Sequence, residues 1–259
     1  MKSLYLYDKM QVPSFSYAVD CYNGKEFRSP IRSTIPLLAL LKSPNAALSE
    51  LLSATGMTST PAIHLEYPIA PPAGKGIPSH TDAMLLDGDS ALAIEAKWTE
   101  PRYDTVRAWL QKGGDSLNRQ TVLQGWLSCL QNFAQEPLNL TNTSEVVYQM
   151  LHRAASACAT LRKPKLLYLC FTPQPNGRAS KVQHILNDMT TLHALLGSPL
   201  NFQFYLAEME ARPTEAFQSI AGLPKGIPST ADRVSAALKG EPLFDFSLRQ
   251  LHTITGACK

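Results

Sequence analysis

Residues 81–97, TDAMLLDGDSALAIEAK, decide how this sequence is interpreted. Two apolar runs flank an Asp-Gly-Asp turn at residues 87–89, which predicts a β-hairpin because glycine supplies the positive φ that tight hairpin turns need. An acid, Asp82, lies on the first run, and a Glu-x-Lys triplet, residues 95–97, ends the second. The stretch therefore predicts two adjacent strands that carry two carboxylates and a lysine.

The turn sets the register between these strands. A two-residue loop at residues 88–89 places Asp82 directly opposite Glu95, whereas a loop at residues 87–88 makes the two acids diagonal neighbours. In both registers Asp82, Glu95 and Lys97 share one face, because side chains alternate with a period of two. Directly opposed Cβ atoms lie about 4.5–5.5 Å apart, which suits two carboxylates binding one cation. The other face is predicted to be apolar, through Ala83, Leu85, Leu92, Ile94 and Ala96.

Composition indicates a globular protein. The chain has 259 residues, of which 44% are hydrophobic and 17% charged, enough to bury a sizeable core. It contains no apolar run of bilayer length and no signal-peptide pattern at its start, so we expect a cytoplasmic protein without a membrane partner. Five scattered cysteines without a Cys-x-x-Cys pair argue against a zinc ribbon or a disulfide framework. A net charge of +3 permits a nucleic-acid partner without requiring one.

Periodicity predicts an α/β order of elements. The segment 1–33 is predicted to be irregular with a short strand near 4–7, and the tail from 212 to be mixed with a short helix at 231–238. Between them we predict helix (34–54, broken near 43–44), strand (62–69), Pro/Gly loop (71–78), the hairpin (81–98), two helices (103–135), helix (142–161), strand (165–171), helix (181–196) and strand (201–207). The last strand, helix and strand predict a parallel crossover.

Together these elements predict a mixed sheet of about five strands with helices on both faces. We expect one domain over residues 1–259. Its core would span about 34–208, with a helical insertion at about 101–140 and a C-terminal extension at 209–259.

Asp82, the triplet Glu95-Ala96-Lys97 and the element order give the chain a resemblance to the PD-(D/E)XK nuclease superfamily. The run 97–100 and a downstream helix bearing Gln149 and Arg153 are similar to uncharacterised restriction-endonuclease-like members. The sequence departs from the motif at Thr81, which stands where the name-giving proline would be. The resemblance implies the restriction-endonuclease-like three-layer α/β/α fold.

The resemblance also implies a Mg²⁺-dependent nuclease, with Mn²⁺ as a substitute. It assigns catalysis to Asp82, Glu95, Lys97 and Gln149, and metal binding to Asp82, Glu95 and the carbonyl of Ala96. Two carboxylates suit Mg²⁺, which binds few protein ligands and keeps several waters. Lys97 would orient the attacking water or stabilise developing negative charge. The direction of its pKa shift stays open, because burial and the two acids act oppositely.

Further residues are candidates for supporting roles. Glu50 and Glu100 could assist a second ion, and Arg153, one helical turn from Gln149, could contact the phosphate or brace the carboxylates. Four cations of the insertion would bind the phosphate backbone if they share a face, with a solvated helix face as the alternative: Arg102, Arg107, Lys112 and Arg119. The aromatic residues of the same insertion are interpreted as packing, with base stacking as the alternative: Trp109, Trp126 and Phe133.

The leading interpretation is a metal-dependent nuclease acting on nucleic acid, DNA rather than RNA, with a homodimer left open. The alternative is a catalytically inactive nuclease-fold protein that binds nucleic acid or a protein partner. A third hypothesis is a small-molecule hydrolase whose metal is bound by His80 and Asp82. In the plainest interpretation, Asp82 and Glu95 are solvated charges and Lys97 is their salt-bridge partner.

Overall fold

A computed structural model of the protein describes residues 4–22, 24–174 and 181–255. Within them one mixed sheet has eight strands: β1 (Leu4–Tyr7), β2 (Met10–Val12), β3 (Ala62–Ile69), β4 (Ser79–Asp87), β5 (Ser90–Lys97), β6 (Lys163–Thr172), β7 (Gln203–Pro213) and β8 (Phe244–Ile254). Their order across the sheet is β2-β1-β3-β4-β5-β6-β7-β8. The neighbours β1 and β3, β5 and β6, and β6 and β7 are parallel, and the others are antiparallel.

Nine helices of the described residues cover the two faces of the sheet: α1 (Phe15–Cys21), α2 (Thr34–Leu41), α3 (Ala46–Ala54), α4 (Val106–Leu110), α5 (Ser116–Gln131), α6 (Tyr148–Cys158), α7 (Val182–Leu195), α8 (Glu215–Ala221) and α9 (Pro228–Lys239). Apolar residues of α1–α3, α8 and α9 belong to one core cluster, and those of α4–α7 belong to a second. The sheet therefore lies between two helical layers. Among the described helices, none is long and apolar enough to cross a membrane.

The predicted count of about five strands is wrong, because the sheet extends beyond residues 34–208 at both ends. β2 has only three residues, and β8 lies at the edge of the sheet, where most of its side chains are at least partly exposed. Neither strand therefore carries a continuous apolar run. The parallel crossover from β6 through α7 to β7 is confirmed.

The predicted start of the next helix, at Asn142, is also wrong. α6 begins only at Tyr148, and the Asn142 side chain instead closes a turn. Its Oδ1 accepts a hydrogen bond from the Asn139 N–H at 2.9 Å, and its Nδ2 donates to the Pro137 carbonyl at 2.9 Å. Asparagine bonds local backbone groups in turns as readily as at helix starts, which explains the error.

The hairpin forms as predicted. Asp87 pairs with Ser90, so Gly88 and Asp89 form the loop, and Gly88 has the positive φ, 49°. The predicted apolar face belongs to one core cluster, while Met84, Ala91 and Ala93 of the other face belong to the second. The pairing between β4 and β5 ends at Ala83 and Ile94, one position before Asp82 and Glu95. The charged residues therefore lie where the two strands separate.

Candidate active site

A cavity of about 220 Å³ lies where β4 and β5 separate. The structure brings seven of the predicted site residues together in its lining: Asp82, Glu95, Ala96, Lys97, Glu100, Gln149 and Arg153. β4 and β5 position the first four, and the first turns of α6 supply Gln149 and Arg153. His80 also lines the cavity, with Nδ1 4.0 Å from Oε2 of Glu66. Lining residues absent from the predicted set are Glu26, Arg32, Ser33, Thr34, Glu66 and Tyr103.

Asp82 bridges the gap between the separating strands. Its Oδ2 accepts a hydrogen bond from the Ala96 N–H at 2.9 Å, in place of a backbone partner. Burial, together with the neighbouring Glu95 carboxylate, raises the pKa of Asp82 to about 7. The Asp82 carboxyl group therefore titrates near neutral pH.

Glu95 is almost completely buried, at 3% exposure, and is paired with two cations. Its Oε1 accepts from Lys97 Nζ at 2.9 Å, and its Oε2 accepts from Arg153 Nε at 2.6 Å. Burial would raise the pKa of Glu95, but the Arg153 and Lys97 charges outweigh it and lower the pKa to about 2. The environments of Asp82 and Glu95 therefore separate two similar carboxyl groups into one that titrates and one that stays ionised.

Lys97 joins the strand to α6. Besides Glu95, its Nζ donates to Oε1 of Gln149 at 2.8 Å and lies 4.6 Å from the centroid of the Tyr103 ring. Burial lowers the pKa of Lys97, but the Glu95 and Asp82 carboxylates outweigh burial, so the pKa is raised. The direction left open by the sequence is thus settled, and Lys97 is a cation at neutral pH.

Glu66 is a site residue that sequence reasoning missed. β3 pairs Leu65 with Ala83 and Tyr67 with Thr81, which leaves Glu66 at the position opposite Asp82. Its φ of 49° is rare outside glycine and indicates a locally constrained backbone. Burial and the Asp82 carboxylate raise the pKa of Glu66 to about 8. An acid within an apolar strand was the available signal, but the long 71–78 loop hides the register of β3 against β4.

Glu100 lines the cavity, but its carboxylate is already bonded to the backbone. Oε1 accepts from the Ser33 N–H at 3.0 Å, and Oε2 accepts from the Trp98 and Thr99 N–H groups at 2.9 and 3.1 Å. Burial would raise the pKa of Glu100, but these backbone hydrogen bonds lower it. Glu100 therefore ties the end of β5 to the segment before α2.

The structure does not bring the remaining predicted residues to the cavity. Glu50 is exposed on α3, which packs on the opposite face of the sheet. The four insertion cations are instead bonded within the protein: Arg102 to Asp188, Arg107 to Glu145, Lys112 to Asp104, and Arg119 to the carbonyls of Lys112 and Gly113. None of them is among the described residues that line the cavity. The predicted common basic face is not found there, because each cation has a closer partner.

Apart from the His80 imidazole, the metal-binding side chains that line the cavity are carboxylates, whose oxygens suit a hard cation such as Mg²⁺. The Asp82 carboxylate raises the pKa of Glu66, and the Glu95 carboxylate raises the pKa of Asp82, so a divalent cation would relieve the repulsion among these acids. Oε2 of Glu26 is buried without a hydrogen-bond partner among the described residues. Over those residues, however, no three His, Cys, Asp or Glu side chains are already arranged to hold a metal ion. The residues have the chemistry that Mg²⁺ requires, but the described side chains do not form a complete coordination site.

Comparison with known proteins gives one match. Residues 17–208 match the model of a domain of unknown function, DUF6946. No curated protein and no solved structure matches the chain. The matched range contains every residue described for the cavity.

Proposed function

We propose that this protein, which belongs to the DUF6946 family, is a metal-dependent nuclease that hydrolyses phosphodiester bonds of DNA. One observation carries the proposal: Lys97 Nζ contacts Glu95 at 2.9 Å and Gln149 at 2.8 Å in a cavity that Asp82 lines. Charged groups fixed around a cleft are what phosphoryl transfer requires, because its transition state spreads negative charge over the phosphoryl oxygens. A mixed sheet between two helical layers supports the restriction-endonuclease-like fold that belongs to the same proposal.

The proposed metal ligands are Asp82, Glu95 and the Ala96 carbonyl, to which the structure adds Glu66 as a neighbouring donor. When bound, Mg²⁺, or Mn²⁺ in its place, supplies a water of lowered pKa and polarises the phosphoryl oxygens. Asp82 and Glu66 must lose their protons to bind a cation. Their pKa values of about 7 and about 8 therefore make cation binding weaken as the pH falls below about 8.

Lys97 is the residue proposed to stabilise the transition state directly. An ammonium group has three N–H donors, and the contacts to Glu95 and Gln149 use two of them. The third donor can bind a phosphoryl oxygen as its negative charge develops. Because its pKa is raised, Lys97 is suited to stabilising charge rather than to removing a proton from water.

Gln149 and Arg153 position these groups. Gln149 accepts from Lys97 and so fixes the ammonium. Arg153 donates from Nε to Glu95 and from Nη1 to Ser79 Oγ, each at 2.6 Å, which holds the Glu95 carboxylate against β4. Removing the side chain of Gln149 or Arg153 should displace Lys97 or Glu95, and even a small displacement lowers the rate of phosphoryl transfer.

A cleavage assay tests the proposal. Purified protein is incubated with plasmid DNA, single-stranded DNA and RNA in Mg²⁺ or Mn²⁺, with EDTA as the control. We expect metal-dependent cleavage of DNA. Failure to cut any of these substrates with either metal would contradict the nuclease proposal.

One observation favours the alternative of a catalytically inactive nuclease-fold protein. Both oxygens of Glu95 are bonded to cations, so Glu95 can bind a metal only if it exchanges one of those contacts. Titration calorimetry with Mg²⁺ separates the two functions. The nuclease proposal expects binding that Asp82→Asn weakens, whereas the alternative expects no binding that depends on Asp82.

The proposal places the protein in the cytoplasm, without a membrane partner, and leaves a homodimer open. Within the described ranges the cysteines are free thiols: Cys21, Cys129, Cys158 and Cys170. The fifth, Cys258, lies outside the described residues. Free thiols suit a reducing compartment, where nucleic acid would be available as substrate.

A further inference from the structure

A second cavity, an aromatic groove of about 510 Å³, lies beside the candidate active site. It is bounded by the loop of residues 71–78 on one side and by α4, α5 and α6 on the other. Its apolar lining comes mainly from Trp109, Trp126, Tyr148, Ile77, Pro71 and Pro78. The groove is thus flanked by flat rings on the helices and by an apolar loop.

The aromatic side of the groove is already ordered. Trp109 stacks on Tyr148, with ring centroids 3.8 Å apart and planes inclined by 11°. The Arg119 guanidinium lies 5.9 Å from the Trp109 centroid. Trp126, which is only 2% exposed, also lines the groove. Aromatic and guanidinium planes of this kind stack nucleobases without regard to base identity.

The loop side is fixed to α5 by hydrogen bonds. Asn118 clamps the backbone of Lys75: its Oδ1 accepts from the Lys75 N–H, and its Nδ2 donates to the Lys75 carbonyl, both at 2.7 Å. Gly125 lets the loop approach closely, since a Cβ there would lie 2.7 Å from the Ala73 nitrogen. Ile77 nevertheless stays 87% exposed beside the opening. The exposed apolar surface is therefore held in place by the fold.

The candidate active site, here called the acid cavity, is lined by carboxylates mixed with cations, whereas the lining of the groove is positively charged. Lys75 and Arg119 line it, and none of its described lining residues is Asp or Glu. Burial lowers the pKa of His152 well below its usual range, so the imidazole in the lining is neutral. Two cations around neutral rings complement a flat uncharged group attached to an anionic backbone.

The groove and the acid cavity are separated by a single hydrogen-bonded wall. Ser79 Oγ lies 2.9 Å from His152 Nδ1 and accepts from Arg153 Nη1 at 2.6 Å. His152 lines the groove, while Arg153 lines the acid cavity and holds Glu95. If a DNA strand places a phosphate in the acid cavity, its neighbouring nucleotide therefore lies beside the aromatic groove.

We infer that the aromatic groove binds an unpaired nucleobase of the DNA strand whose phosphate lies in the acid cavity. This inference rests on the proposed nuclease function and names its substrate class: single-stranded DNA, or duplex DNA from which a base is displaced. A base inside an intact duplex is stacked on its neighbours and cannot enter the groove, so single strands should bind better than duplexes.

Binding measured without cleavage tests this inference. The Lys97→Met protein, in Mg²⁺, is titrated into a fluorescently labelled single-stranded oligonucleotide, an abasic oligonucleotide of equal length and a duplex. We expect the single strand to bind at least about tenfold more tightly than the other two, since stacking requires a base. Equal affinity for the three ligands would overturn the inference.

Two substitutions, each introduced into the Lys97→Met protein, locate the binding surface. Trp109→Ala removes the stacking ring, and Ile77→Asp puts a negative charge at an exposed position where no packing is lost. Each should weaken single-strand binding about tenfold. The matched control is Tyr17→Ala, which removes an aromatic side chain of 53% exposure on α1, in the opposite helical layer, and should leave binding unchanged.

The outcomes separate the two proposals. If the wild-type protein cuts DNA but Trp109→Ala and Ile77→Asp bind the single strand normally, the groove inference is wrong and the nuclease proposal stands. If no nucleic acid is cut but single-strand binding depends on both residues, the groove inference is supported and the nuclease proposal is wrong.

Discussion

Two buried lysines on neighbouring strands have opposite electrostatic environments. Lys97 on β5 and Lys165 on β6 are each 7% exposed, and they point to opposite faces of the sheet. Lys97 bonds to a carboxylate and an amide, whereas Lys165 Nζ donates to the carbonyls of Thr55 and Gly56 at 2.7 and 2.9 Å. Burial alone therefore does not distinguish the two lysines, whereas their bonded partners do.

The pKa shifts of the two lysines follow from these partners. Burial lowers the pKa of Lys165, and carbonyl dipoles at the end of α3 do not reverse the shift. The pKa of Lys97 is raised, because Glu95 and Asp82 carry full negative charges nearby. Lys165 therefore closes a helix end, a structural task, while Lys97 keeps a charge inside a cavity.

The largest expected effect comes from Lys97→Met. Removing one group that stabilises transition-state charge typically costs about 10²–10³ in rate, so we expect cleavage to fall at least about 100-fold. The fold should survive, because Arg153 still pairs with Glu95. Single-turnover cleavage at saturating metal measures the rate, and a thermal melt checks folding. A variant that cuts within a few-fold of the wild-type rate would remove Lys97 from the mechanism.

Lys165→Met should give the converse result. The carbonyls of Thr55 and Gly56 lose their donor, and an unsatisfied buried acceptor costs about 1–3 kcal/mol in the free energy of unfolding. Cleavage per folded molecule should not change. Urea denaturation and cleavage by the same preparation measure both quantities. A stable but inactive Lys165→Met protein would instead assign Lys165 a role in cleavage and no role in stability.

The sequence predicted the part of the site that local geometry controls. Gly88 determines the turn, and period-two alternation then brings Asp82, Glu95 and Lys97 to one face of the hairpin. The place of Gln149 came from the resemblance. These predictions required no knowledge of contacts between distant segments.

Contacts between distant segments explain what the sequence did not reveal. Glu66 lies opposite Asp82 because of a strand register set across the nine residues between β3 and β4, and Arg102 pairs with Asp188, 86 positions away. Ser79 joins two cavities only because α6 packs against β4. No pattern within one segment encodes such pairs, so the acid opposite Asp82 was missed and the partners of the insertion cations were not foreseen.

The dependence of stability on pH should distinguish two acids that line the cavity with Lys97, Glu66 and Glu100. The pKa of Glu66 is raised from 4.5 to about 8, so the folded state keeps a proton that the unfolded chain releases near pH 4.5. This glutamate therefore destabilises the fold increasingly as the pH rises from about 4.5 to about 8. Glu66→Gln should lack this loss, and its stability advantage over wild type should grow across that window. Urea denaturation at pH 4.5, 6 and 8 measures the difference.

Glu100→Gln is the matched control for Glu66, because the pKa of Glu100 is shifted in the opposite direction. Its pKa is lowered, so ionised Glu100 stabilises the folded state above the usual glutamate pKa, and this contribution is lost as the pH falls. At pH 8 the Glu100→Gln protein should be less stable than wild type. If the stabilities of the Glu66→Gln and Glu100→Gln proteins change with pH in the same way, the pKa values of Glu66 and Glu100 are not shifted in opposite directions.

The smallest expected effect is at Glu50, on the helix whose end Lys165 holds. Its side chain is exposed on the face of the sheet opposite the acid cavity, so Glu50→Gln should change the free energy of unfolding by less than about 0.5 kcal/mol. Cleavage and its dependence on Mg²⁺ concentration should stay at wild-type values. A higher Mg²⁺ requirement in the Glu50→Gln protein would show that this face of the sheet takes part in metal binding. The assignment of a purely structural role to the Lys165 side of the sheet would then be wrong.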